Sequence, residues 1–486
     1  MRIEEYAEQD AVGLAALVAA GEVTAAELVA VAGDAIAAVN PRVNAVVETW
    51  DVDEGAIRQV AAKGGPLAGV PFLLKDIGVA QAGRPMEMGS RLTQGLISPD
   101  DSRLGKMFTD AGLVSIGRTA VPEWAWNTTT ESALYGVTRN PWDLERTAGG
   151  SSGGAAAAVA AGAVPMAHGT DAAGSIRIPA ASCGLFGLKP SRGRVSNGPA
   201  LDEGLNLLAS QLGISRSVRD SAALLDAVCG YDIGSPFNIA PPGTTYRQAA
   251  EVDPRRLRIG VRTEPLGGQK PSQAVVAAIE EVAELCAELG HQVEAGGLDP
   301  GVGWETFVHD SSVLWVSNLA TWIEDAAAGF GRPVDETTLE PQTLAVHRTG
   351  RETSAMDLVR ALDARNRMTR AAVCAFEEFD ILLTPTLPDV ALPLGTQLRD
   401  LDGIDGHGWT ERLFDLSPYT PLINTAGLPA MNCPLSMHPE CGLPIGSQFV
   451  AAPGREDLLF QLAGQLERSR PWQGRRPPIW AGTIDS

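Results

Sequence analysis

Short apolar runs and amphipathic stretches alternate along this chain, and the alternation predicts an α/β protein. In residues 10–40, Leu14, Leu17 and Val18 make one apolar stripe, and Leu28, Val31, Ile36 and Val39 follow at roughly helical spacing, which gives two helices. Thr24 with Glu27 forms a capping box at the start of the second, and Asn40-Pro41 should end it. VNAVVET (43–49) reads as a short strand. Residues 70–74 are an apolar run of strand length, closed by Lys75; 104–112 read as a helix and LVSIG (113–117) as a strand. Residues 123–143 break the pattern as a long polar loop that holds Trp124, Trp126, Asn127 and Thr128, and a loop of that length on a large scaffold is often functional.

The stretch 149–190 organises the rest: a Gly/Ser turn at 149–154, an alanine-rich helical run at 155–161, a short strand at 163–167, and a small-residue loop at 169–175. GGSSGG alone reads as a flexible linker. Linkers are not followed by a run of strong helix formers and then by a second Gly/Ser loop, so the better reading is two serine-bearing loops brought together by a helix and a strand. Farther along, 215–230 is a helix, 231–255 a Gly/Pro/Ser-rich connector, and 256–262 a strand. A helix and a strand separated by Gly290 occupy 272–295; 300–350 is helical and carries Trp304, Trp315 and Trp322. FDILLTPT (379–386) is a buried strand, 388–418 a loop-rich insertion with His407 and Trp409, 420–436 and 442–451 strands, and 455–467 a closing helix.

Composition narrows the function. The 486 residues are 44% hydrophobic, which suits one large α/β enzyme, and the net charge of −21 argues against nucleic acid and anionic membranes as partners. No run of apolar residues is long enough to span a bilayer, and the acidic start has no secretory character. The six cysteines show neither metal-ligand spacing nor a disulfide framework, so no metal or other cofactor is expected and a reducing cytoplasm is the expected location. Lysine is scarce, with five (Lys63, Lys75, Lys106, Lys189 and Lys270) against 33 arginines. A lysine at a strand end is commonly a snorkelling side chain, but beside two serine loops Lys75 gains a second meaning, because a desolvated lysine can lose its proton and an arginine cannot.

The stretch AGGSSGG…GTDAAGSIRIP, with Ser151 and Ser175 separated by 24 positions and GVPFLLKD upstream, resembles the signature of the amidase signature family of Ser–cis-Ser–Lys hydrolases. The resemblance runs from about residue 5 to about 478. It implies a central mixed β-sheet with helices on both faces, in one domain over residues 1–486. Within it, 1–65 is an N-terminal helical part, 66–230 the signature core, and 256–478 the C-terminal half of the same sheet with substrate-selecting insertions.

The resemblance also implies roles. Ser175 would be the nucleophile, Ser151, after a cis peptide bond, the proton carrier, and Lys75 the base. Backbone N–H groups of Ala172, Ala173, Gly174 and Ser175 would form an oxyanion hole. Ser152, Asp171 and Arg177 would support the loops. Trp126, Asn127, Thr128, Gly149, Gly150 and Trp315 would meet substrate. The activity implied is hydrolysis of non-peptide C–N bonds through an acyl-enzyme. The substrate is a small molecule (aryl amide, linear or cyclic amide oligomer, or carbamate), and the same machinery serves an esterase. The protein would act as a monomer or homodimer.

DAAGS, NAVV, LLKD and RNPW place the chain nearest the aminohexanoate cyclic-dimer (nylon-oligomer) hydrolase branch. Two features depart from the common pattern. Many members have Gly where this chain has Ala172 or Ala173, and an alanine there would be strained if φ had to be positive. Position 315 is Trp where the branch places a small thiol, which points to a more aromatic pocket suited to aryl amides or carbamates. An amidase subunit of a tRNA-dependent amidotransferase is the other reading; its SIRQP motif is SIRIP here, with Ile178 in place of Gln. Of the six histidines only His168 lies in the signature, on a strand of small apolar residues, where a structural role is expected rather than a Ser–His triad.

Overall fold

In the computed structural model, which describes residues 1–237 and 239–483, eleven short strands join into one mixed sheet. In chain order they are β1 (Val46–Thr49), β2 (Pro71–Lys75), β3 (Val114–Thr119), β4 (Met166–Asp171), β5 (Phe186–Lys189) and β6 (Ser210–Ser215). The later five are β7 (Arg258–Val261), β8 (Gln292–Ala295), β9 (Ile381–Pro385), β10 (Ala430–Met437) and β11 (Pro444–Ala451). Their order across the sheet is β1-β3-β2-β4-β6-β5-β10-β11-β9-β7-β8. β2 lies parallel to β3 and β4, and β7 lies parallel to β8 and β9, while the remaining pairs are antiparallel. The first six strands form one side and the last five the other, joined where β5 meets β10 at Lys189↔Ala430 and Leu188↔Met431.

Side chains alternate across a strand, so a sheet covered on both faces must be apolar at successive positions. Ile381, Leu383, Met431, Cys433, Phe449 and Ala451 enter one core, shared with helices Gly153–Ala160, Val218–Val228, Gln273–Glu288 and Glu456–Ser469. Their neighbours Leu382, Ala430 and Val450 enter a second core on the opposite face, filled from helices Trp304–Phe330, Pro341–Glu352, Ala355–Val373 and Gly406–Leu416. The second core holds Trp124, Trp126, Trp315 and Trp409, while Trp50, Trp472 and Trp480 lie in the first.

Several local expectations change. The second long helix does not stop at Asn40-Pro41 but runs Ala25–Val43, ending at Asn44 with φ 50°. Proline in the last turn removes only one backbone bond. The Asn40 side chain also ties that turn to β1, accepting from the N–H of Ala45 and Val46 at 2.8 Å each. Residues 123–143 are largely buried and partly ordered, with a 3₁₀ turn at Glu123–Ala125 and short pairings Glu131–Ser132 with Gly136–Val137 and Arg139–Asn140 with Asp143–Thr147. The expected strand over 420–436 is helix Pro421–Ala426 followed by β10; the proline sits at the first helical turn, where its missing N–H costs nothing. Helices Gly406–Leu416 and Tyr246–Glu251 lie inside the expected insertion and connector, and helix Ala355–Val373 was not foreseen.

Candidate active site

The parallel patch β2–β4 ends in the residues that carry chemistry, as ligand crevices in open α/β sheets lie beyond the carboxyl ends of the strands. Lys75 is the last residue of β2 and is 1% exposed. The next residue, Asp76, fixes that strand end: its carboxylate accepts from the N–H of Glu87 and Gly89, from Arg118 Nη1 at 2.8 Å and from the Tyr135 hydroxyl at 2.7 Å. Ser151 and Ser152 immediately precede helix Gly153–Ala160, whose residues are all buried, and the Gly150–Ser151 peptide is cis. Ser175 follows β4 and precedes helix Arg177–Cys183.

Three hydroxyls surround the Lys75 amine: Thr170 Oγ1 at 2.7 Å, Ser151 Oγ at 2.8 Å and Ser152 Oγ at 2.9 Å. The Ser152 hydroxyl donates to the Thr170 carbonyl at 3.2 Å, so toward Lys75 it can only accept. Burial drives the Lys75 pKa well below its ordinary value, with Asp171 opposing only in part. A neutral amine has two N–H bonds and one lone pair. One N–H goes to Ser152, leaving the other and the lone pair for Thr170 and Ser151. The sequence reading left Thr170 out, and the Gly-Thr-Asp order at the end of β4 is the one signal that could have found it.

Asp171 and Arg177 set the second loop. Asp171 accepts Gly174 N–H at 2.8 Å, Ile176 N–H at 3.2 Å, and Arg177 Nε and Nη2 at 2.9 Å each. Arg177 also reaches Gln448 Oε1 at 2.8 Å and Asn424 Oδ1 at 2.5 Å. Both side chains are fully buried; burial opposes the Asp171 charge, but the Arg177 guanidinium holds its carboxyl well below the usual range. Gly174 takes the only positive φ in the loop, 134°, and a Cβ there would lie 2.5 Å from Thr420 Oγ1. Ala172 and Ala173 are free of positive φ, so the feared alanine strain does not arise. The oxyanion set needs one correction. Gly174 spends its N–H on Asp171, whereas among the described residues the N–H groups of Ala172, Ala173 and Ser175 have no protein acceptor.

His168 is bonded away from the serines. Its Nδ1 accepts the Lys75 backbone N–H at 3.3 Å, which places its proton on Nε2, facing Gln211 Oε1 at 3.0 Å. Burial, and then Lys75, lower its pKa to about 3, so it stays neutral. Among the described residues no three His, Cys, Asp or Glu side chains gather as metal ligands would.

Ser175 stands between two cavities. One, of about 640 Å³, also reaches Ser151 and Thr170 and is walled by Trp124, Leu201, Leu205, Leu319 and Trp322. The other, of about 350 Å³, is lined by Asn127, Thr128, Ile178, Leu413, Phe414 and Ser417. Trp126 and Trp315 line both, their rings 4.2 Å apart at 60°, and form the partition. Asn127 is 3% exposed, and neither of its amide atoms has a partner among the described residues. Gly149 borders a third cavity beyond Thr128 and Ile178. Gly150 packs under the loop instead, where a Cβ would lie 2.6 Å from the Thr129 carbonyl oxygen.

The amidase family model matches residues 27–460. The chain belongs to the amidase family. It is 37% identical over 481 residues to the 6-aminohexanoate-cyclic-dimer hydrolase of Paenarthrobacter ureafaciens, covering 97% of each chain. A solved 6-aminohexanoate cyclic dimer hydrolase superposes with a TM-score of 0.91 at 35% identity, over 97% of this chain and 99% of that one. A bacterial aryl acylamidase of the amidase signature family gives 0.84 at 26% identity, over 96% and 99%. This amidase is therefore a hydrolase of C–N bonds in non-peptide amides, built on the mixed-sheet fold that its signature resembles.

Proposed function

We propose that the amidase works by a Ser175–Ser151–Lys75 relay through an acyl-enzyme. The observation that carries this reading is the buried, hydroxyl-ringed amine of Lys75, 2.8 Å from Ser151 Oγ. Ser175 Oγ attacks the amide carbonyl while Ser151 takes its proton and passes its own to the Lys75 lone pair. The oxyanion is met by the N–H groups of Ala172, Ala173 and Ser175, preorganised by Asp171 and Arg177. Collapse breaks the C–N bond as the proton returns through Ser151 to the departing nitrogen, and water then cleaves the ester by the same route in reverse. Ser152 and Thr170 hold the amine in register.

The substrate is a small amide, aryl or oligomeric, or a carbamate. The tryptophan-rich cleft supports an aromatic or extended apolar group, and the unpaired carboxamide of Asn127 supports a polar contact to it; Trp126, Thr128 and Trp315 complete the contacts. Ile178 in the wall of the smaller cavity favours a stand-alone amidase over an amidotransferase subunit. A monomer or homodimer in a reducing cytoplasm is part of the proposal, supported by six unpaired cysteines; no helix of the described residues is long and apolar enough to cross a membrane.

A fluorophosphonate probe tests the nucleophile. The label is expected on Ser175 by mass mapping, and Ser175→Ala should fold, lose the label and lose nearly all turnover. Label on Ser152, or on a serine outside 149–175, overturns the assignment.

A further inference from the structure

The two cavities at Ser175 are unequal, and one asymmetry assigns them. A hydrolysed amide has two halves: an acyl half that stays on the nucleophile and an amine half that leaves with a proton. That proton must come from Ser151 if the relay above holds. Ser151, with Thr170 behind it, opens into the 640 Å³ cavity and not into the 350 Å³ one. We infer that the amine half of the substrate lies in the large aromatic lobe and the acyl half in the narrow lobe, so that the amidase selects amides of bulky aromatic amines with slender acyl chains.

The walls agree with that division. The large lobe presents Trp124 and Trp322, with Leu201, Leu205 and Leu319 between them, a lining suited to flat apolar rings. Trp124 has φ 53° and Leu205 φ 52°, so backbone from two separate loops adopts an uncommon conformation to build this wall. The narrow lobe is bounded by Leu413 and Phe414 from helix Gly406–Leu416 and by Ile178. It shares Thr128 and Ile178 with the third cavity, of about 450 Å³, which runs between Gly149 and Ser182 on one side and residues 387–392 on the other. Trp126 and Trp315 stand between the two lobes, lining both, with ring centroids 4.2 Å apart.

The inference rests on the relay, and its test separates the two. Two substrate series are compared: acetyl amides of aniline, 4-ethylaniline and 1-naphthylamine, and anilides of acetic, butyric and hexanoic acid. Trp322→Ala touches only the large lobe and Leu413→Ala only the narrow one. Trp322→Ala should lower kcat/KM on the naphthyl amide relative to the anilide by about tenfold. It should leave the acyl-length profile as in the wild type, along with the deacylation rate of a preformed hexanoyl-enzyme. Leu413→Ala should change the acyl-length profile and that deacylation rate while keeping the amine profile. The reverse pattern, or both variants moving both profiles, overturns the inference even though the acyl-enzyme on Ser175 still forms. Failure to trap any acyl-enzyme on Ser175 would instead remove the relay. Circular dichroism of both variants excludes misfolding as the cause of either shift.

Discussion

A lysine amine at 1% exposure, with three hydroxyl neighbours and, among the described residues, no carboxylate hydrogen-bonded to it, is an unusual candidate for a base. Its chemistry depends on being neutral. In water a lysine holds its proton up to about pH 10.4, and burial removes the solvation that stabilises the charge. The Lys75 pKa is lowered, so its deprotonated fraction rises at pH values where a free lysine is still charged. The rate should therefore climb with pH through one ionisation and level off on the alkaline side, as read from kcat/KM between pH 5 and 10. A profile that falls over this range would contradict a lysine base. Lys75→Arg keeps a cation but cannot release a proton, and should cost roughly a hundredfold or more, close to Lys75→Ala. If the arginine variant kept more than about a tenth of the turnover, a barrier change of only ~1.4 kcal/mol, charge alone would be the better account of Lys75.

Among the elements, the turn that carries Trp124 is one that pH should reach. Glu123 opens it, is 1% exposed, and accepts from Ser90 Oγ and from the N–H of Glu340, both at 2.7 Å. Glu340 caps helix Pro341–Glu352 and is itself buried, so two carboxyl groups share one dry region. Burial, and then Glu340, raise the Glu123 pKa from 4.5 to about 7. The folded state thus holds a proton that the unfolded state has lost, and stability falls as pH rises from 4.5 through 7, by about 3 kcal/mol in all. Glu123→Gln can accept the Glu340 N–H and donate to Ser90. It should be more stable than the wild type at pH 8 and little different at pH 5, measured by urea midpoint. An equal pH slope in both proteins would show that Glu123 does not titrate in this range.

The same element shows where sequence reading works and where it stops. The strand end that carries Lys75 and the loop and helix around Ser151 were legible because each announces itself locally: an apolar run, a Gly/Ser turn, a row of alanines. The 123–143 segment was legible only as polar, because its order comes from tertiary partners. Glu340 Oε1 accepts the Ala133 N–H from 207 positions away, and Glu131 accepts the Gly395 N–H from 264. Thr170 and the loss of the Gly174 N–H to Asp171 were hidden for the same reason: each is a fact about which acceptor a donor finds after folding. Helix Pro421–Ala426 was misread because Leu422 and Ile423 look alike in a buried strand and in a short buried helix.

At the scale of the whole molecule, the sheet has a seam. Every residue of the proposed relay comes from the chain before residue 230, whereas Trp315, Leu413 and Phe414 of the cleft come from after residue 256. The seam is closed by the β5–β10 pairing, by Arg177 reaching Gln448 and Asn424, and by the buried Arg194–Glu456 pair at 3.1 Å. Helix Glu456–Ser469 returns from the far end to pack on Val218–Val228 and Tyr246–Glu251. These joints bury charge and apolar surface between the halves, so neither half has a finished core alone. The covalent link adds little by comparison: Tyr231 is 58% and Ile233 90% exposed. A protease site inserted after Ile233 and cut in the folded protein should therefore yield two pieces that elute together, unfold in one transition and keep most of the amidase activity. The first piece, purified from denaturant without the second, should not hydrolyse amides, because the β10 strand that covers its β5 edge, the Trp315, Leu413 and Phe414 walls of the cleft and the partners of Arg177 are missing. Separation of the pieces under native conditions would mean that the two halves are independent domains and that the seam is only a contact.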